Sequence, residues 1–109
     1  MTAPGPTTTP RHASRADVVT DVPARYAKQL VSHLGRKVAF VEDQGSWTAT
    51  ALDAVIRITP ADSVLVLRAE APDVESLARV EHGLGSHLER FGQRNQLTVT
   101  WRRSATAPA

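Results

Sequence analysis

The chain has 109 residues, no cysteine, and 13 Lys+Arg against 11 Asp+Glu, with a pI near 9.7. A chain of this length makes one domain around one core. The missing cysteines exclude disulfides, thiolate metal sites and a cysteine nucleophile. No apolar run approaches the roughly 18 residues of a membrane span. The opening residues are rich in Thr and Pro without an apolar stretch, so no secretory signal and a cytoplasmic location are expected.

The basic pI is weak evidence for nucleic acid. Arg11, Arg15 and Arg103 fall in or beside the two ends, and without them the stretch 16–102 is slightly acidic. A nucleic-acid module concentrates positive charge on its folded face, so neither nucleic acid nor a membrane is expected as a partner. Residues 1–14 and 104–109 carry Pro, Thr, Ala and Ser with few large apolar groups. They read as flexible tails around a unit spanning 15–103.

A short β-branched strand is expected at 15–20. Asp21 and Pro23 then signal a helix start, Asp21 as an N-terminal acceptor and Pro23 where its missing N–H costs nothing. The helix runs over 23–34, with Tyr26, Leu30 and Leu34 at i, i+4, i+8, and Gly35 ends it. Four strand-like segments follow at 37–42, 47–52, 54–59 and 64–70. Gln44-Gly45 and Pro60-Ala61-Asp62-Ser63 mark turns between them, and Asp53 a tighter reversal. Connections this short make an antiparallel meander.

Pro72-Asp73 opens a second helix over 73–91, Asp73 being placed as an N-cap. Leu77, Val80, Leu84, Leu88 and Phe91 share one arc of its wheel. Gly83 and Gly85 interrupt it at about 1 kcal/mol each relative to Ala, and Gly92 is the expected C-cap. A last strand at 97–102 alternates Leu97, Val99 and Trp101 with Thr98, Thr100 and Arg102. The order is β-α-β-β-β-β-α-β. Two amphipathic helices and a one-sided antiparallel sheet imply an α+β two-layer sandwich with both helices on one face.

The triplet Ser-His-Leu occurs twice, at residues 32–34 and 86–88. His33 lies about 20° round its wheel from Tyr26, and His87 about 20° from Val80. Both rings are therefore placed where core meets solvent. Packed side by side, the helices would bring them together to share a metal or a proton, with Tyr26 or Glu89 nearby. The commoner role of a boundary His is to pack its ring and bond a carbonyl. His82 and His87, five apart, point about 140° from each other and do not form an i, i+4 ligand pair. Gly83-Leu84-Gly85-Ser86 follows no strand and lacks the third glycine of a phosphate loop. Asp43, Asp53 and Asp62 read as turn residues rather than as catalytic acids.

If Ile56, Ile58, Leu65, Leu67, Val99 and Trp101 face the helices, then Arg57, Arg68 and Arg102 emerge on the opposite side. Such a face suits a protein partner or a small anionic ligand, although an ordinary wet sheet face also carries scattered charges.

The segments 21–33, 67–73, 87–91 and 97–102 together resemble a bacterial domain of unknown function, number 2218 of its series, over about 15–103. The resemblance implies a family without established activity or defined catalytic residues. Its members occur alone or attached to siderophore-interacting flavin reductases. It also implies a layout like that of TATA-binding-protein-like domains. This chain has no flavin or nicotinamide motif. The leading expectation is a non-enzymatic accessory or binding module, linked through the resemblance to iron–siderophore handling, acting as monomer or homodimer without a cofactor. The rival is a small metal-binding protein or enzyme using His33 and His87.

Overall fold

The computed structural model describes residues 12–104 apart from residue 52. Eight regular elements and one turn of 3₁₀-helix follow the expected order. They are β1 His12–Val19, α1 Pro23–Leu34, β2 Val41–Asp43, β3 Ser46–Ala51, β4 Ala54–Ala61, β5 Val64–Ala71, α2 Val74–Phe91 and β6 Arg102–Ser104, with the 3₁₀ turn Gln93–Asn95 before β6. The strands form one antiparallel sheet in the order β2-β3-β4-β5-β1-β6. The meander β2 to β5 is as expected. β1 returns to the free edge of β5 and carries β6 on its outer side.

Both helices cover the same face of the sheet. Leu30 of α1 and Leu77, Leu84 and Leu88 of α2 are fully buried against Ile58, Leu65 and Leu67. The period of two places Ser14, Ala16 and Val18 of β1 inward and Arg15, Asp17 and Val19 outward. The two-layer α+β sandwich therefore follows from local periodicity on each element.

Several boundaries differ, each for a backbone reason. β1 begins at His12, so residues 12–14, assigned to a tail, are paired with β5. Ser104, assigned to the other tail, pairs with Ala13; the remaining tail residues, 1–11 and 105–109, lie outside the described residues. The N-cap of α1 is Val22, and no side chain caps it. In place of Asp21, the Thr20 hydroxyl accepts a hydrogen bond from the Val22 amide at 3.2 Å. The strand expected at 37–42 shrinks to Val41–Asp43 because the Lys37 and Val38 amides donate to the Leu34 carbonyl, at 2.9 and 3.0 Å. Those amides extend the helix end and are lost to the sheet.

The strand expected at 97–102 is paired only from Arg102 onward. The Val99 amide donates instead to the Glu89 carboxylate at 2.9 Å, and the Leu97 amide to the Gly92 carbonyl at 3.2 Å. The expected alternation nonetheless holds: Leu97 is buried and Val99 and Trp101 are half-buried, while Thr98, Thr100 and Arg102 are exposed. Pro60 and Ala61, read as a turn, continue β4. Pro60 lies beyond the last β3–β4 pair, Trp47 with Ile58, where its missing N–H breaks no ladder. Gln44 and Gly45 both have positive φ, 52° and 83°, as the two-residue turn between Asp43 and Ser46 requires.

The two mid-helix glycines of α2 have different surroundings. A Cβ on Gly85 would meet Trp101 Nε1 at 3.2 Å and Val99 Cγ1 at 3.5 Å, so the bare backbone there admits the segment leading to β6. A Cβ on Gly83 would meet nothing within 4 Å. Asp73 is the N-cap of α2, its carboxylate accepting from the Ser76 amide at 2.7 Å.

Candidate functional site: an arginine row on the open sheet face

The face without helices carries one row of side chains in register across all six strands. Val41 pairs with Thr48, Thr48 with Arg57, Arg57 with Arg68, Arg68 with Arg15 and Arg15 with Arg102. Directly opposed residues share a face, so four arginines stand side by side on β4, β5, β1 and β6. Neighbouring strands are about 4.8 Å apart, so the row from Arg57 to Arg102 covers about 14 Å. Arg57, Arg68 and Arg102, each expected on the open side, stand here in one row. Arg15 is an addition, because its place beside the amino-terminal end hid it. The alternation of Arg15 and Asp17 with Ala16 and Val18 is the signal that puts it on this face.

Among the described residues, Arg57, Arg68 and Arg102 have no side-chain hydrogen bond or ion pair. Arg15 Nε meets Asp17 Oδ1 at 2.8 Å, with both side chains well exposed. Glu70, two residues along β5 from Arg68, is the other acid beside the row among the described residues. Like charges directly opposite on a sheet repel. Three successive Arg–Arg pairs therefore concentrate positive potential that the fold itself leaves largely uncompensated.

The two histidines also meet. The His33 and His87 ring centroids lie 4.5 Å apart at 53°, and the Phe91 ring packs edge-on to His33 at 5.3 Å. His33 is exposed and His87 half-buried. Desolvation holds the His87 imidazole below its usual range, and the neighbouring basic groups His33, Arg90, Lys37 and His82 push it the same way.

Tyr26 and Glu89 do not join them. Tyr26 is buried in the core, two helical turns before His33. The Glu89 carboxylate is bound to the Val99 amide on another side of α2. Among the described residues no three His, Cys, Asp or Glu side chains gather to hold a metal. Two imidazoles are an incomplete ligand set for a tetrahedral ion.

One polar pair passed unnoticed in the sequence. Arg103, assigned to the end of the chain, holds the buried Glu81 carboxylate through two hydrogen bonds, at 2.7 and 3.1 Å. Burial alone would raise the Glu81 carboxyl, but the bonds from Arg103 and Ser14 outweigh it and hold it below the usual range. This pair fastens β6 to α2, and so positions Arg102 at the end of the row.

Sheet, helices and register together define an α+β two-layer protein with a six-stranded antiparallel sheet and one uncovered face. A family model described as an uncharacterized protein conserved in bacteria, DUF2218, matches residues 15–102, and the chain belongs to that family. Among solved structures, the NMR structure of PA4090 from Pseudomonas aeruginosa is similar, with a TM-score of 0.66 and 22% sequence identity. That match covers 85% of this chain and 95% of the other, and at such identity it shows the fold. No curated protein matches the chain. No helix among the described residues is long and apolar enough to cross a membrane.

Proposed function

We propose that this protein is a non-enzymatic binding module that takes an anionic ligand on the row Arg57, Arg68, Arg15 and Arg102. The observation that supports this reading is the three successive Arg–Arg cross-strand pairs. Each pair works against the sheet's stability, and a bound anion would turn that repulsion into attraction. Guanidinium groups are always charged and present flat donor forks suited to carboxylate and phosphate. A row of about 14 Å suits a ligand with several anionic groups in line better than a single small ion. An anionic iron chelate is one ligand of this kind, in keeping with the siderophore association that the resemblance implies.

The test is thermal denaturation of wild type and of the Arg57→Ser, Arg68→Ser, Arg102→Ser triple variant. Each is measured at low salt with citrate, tripolyphosphate or ferric citrate. The reading expects melting temperature to rise with at least one polyvalent anion in wild type, and this rise to vanish in the variant. Equal shifts in both proteins would sink it. The metal-site alternative on His33 and His87 has thinner support, since no third ligating side chain accompanies the two rings among the described residues.

A further inference from the structure

On the helical side a pocket of about 170 Å³ opens between α2, the end of α1 and the β3–β4 end of the sheet. Its walls are apolar, formed by Leu34, Phe40, Ile56 and Leu84 among others. A cavity of about 150 Å³ with such walls holds a benzene ring. Arg79 and His87 contribute the basic groups of the lining, and among the described residues no acidic side chain lines it. Arg79 is exposed and has no hydrogen bond or ion pair among the described residues. The His33 ring packs on His87 with centroids 4.5 Å apart, and Arg90, Lys37 and His82 are further basic groups around it.

Gly83 lies between Arg79 and His87 on the same stripe of α2, four residues from each, and it also lines the pocket. Glycine is among the least favourable residues in a helix interior. At Gly85 the approach of Val99 and Trp101 explains the choice, whereas at Gly83 no neighbour lies near an added Cβ. What the bare backbone at Gly83 provides is room in the pocket.

We propose that this pocket binds a small carboxylate with an apolar body of about one aromatic ring. The body fills the space over Gly83, and the carboxylate pairs with Arg79 and accepts a hydrogen bond from His87. The site is separate from the arginine row, which lies on the other face of the sheet. A carboxylate beside His87 stabilises its imidazolium, so ligand binding raises the His87 pKa and tightens on mild acidification.

The experiment titrates ¹⁵N-labelled full chain with benzoate and follows amide and imidazole resonances. Benzyl alcohol, benzylamine and acetate serve as probes lacking the charge, reversing it, or lacking the body. The proposal expects saturable shifts at Leu34, Phe40, Gly83 and His87 with benzoate, and at least tenfold weaker binding of all three other probes. Arg79→Gln, an exposed change, weakens benzoate at least tenfold. Gly83→Leu abolishes benzoate binding while the melting temperature holds or rises. Benzyl alcohol binding as tightly as benzoate, undiminished binding to either variant, or the absence of saturable shifts would each overturn it. Shifts confined to Arg57, Arg68 and their strand neighbours would assign benzoate to the open sheet face instead, and would also overturn it. Loss of the pocket signals with polyanion binding to the row intact leaves the proposed function standing.

Discussion

Arg57 and Arg68 stand directly opposite each other on β4 and β5, and Arg68 is opposed on its other side by Arg15. The middle arginine is thus flanked by a like charge on each side. Arg68→Thr removes two repulsive pairs and supplies a β-branched residue suited to a strand. It is expected to raise stability in low salt by up to about 1 kcal/mol. The gain should fade as salt shortens the Debye length. Urea denaturation at two ionic strengths checks this, and a loss of stability on substitution would contradict the repulsion argument.

The His87 ring titrates below the usual imidazole range because of its desolvation, with His33, Arg90, Lys37 and His82 adding to the effect. The unfolded chain therefore binds a proton at His87 more readily than the folded one. Stability rises with pH wherever the unfolded state holds more protons. The His87 contribution is present above the ordinary imidazole range and declines as pH falls through it. His87→Gln should flatten the pH dependence of the unfolding free energy between pH 7.5 and 5, approximately the imidazole range. An unchanged slope would show that His87 is not the group responsible.

Glu81 is a buried carboxylate whose guanidinium partner comes from β6. Its carboxyl is held low, so its contribution to stability is present above the usual carboxylate range and is lost as pH falls through the folded value. Arg103→Gln leaves the Glu81 charge without its main partner. It should lower the urea midpoint at neutral pH, and the deficit should shrink in acid as Glu81 takes up a proton. Amide exchange in Arg102 and Ser104 should also accelerate, because the pair ties β6 down.

The two α2 glycines should respond in opposite directions to alanine. Gly83→Ala meets no neighbour and gains helix propensity, so stability should increase by up to about 1 kcal/mol. Gly85→Ala pushes on Trp101 and Val99, and should bring a net loss together with a change in Trp101 fluorescence. If both variants were stabilised equally, the close approach of the segment 97–101 to α2 would be wrong.

Local periodicity, visible in the sequence, determined the helix spans, the facing of each strand, the Asp73 cap and the choice of layer architecture. Those features depend on residues a few positions apart, whose steric and hydrophobic preferences act within one element. It also placed Arg57, Arg68 and Arg102 outward and both histidines at the edge of their stripes. Tertiary structure alone decided that Arg15 joins those arginines in a single row, because cross-strand register is set between segments far apart in the chain. The meeting of His33 with His87, and of Glu81 with Arg103, likewise depends on how α2 docks on α1 and β6. The strands expected at 37–42 and 97–102 were shortened for the same kind of reason. Their amides found acceptors in Leu34, Gly92 and Glu89, and a backbone N–H bonded there is lost to the sheet.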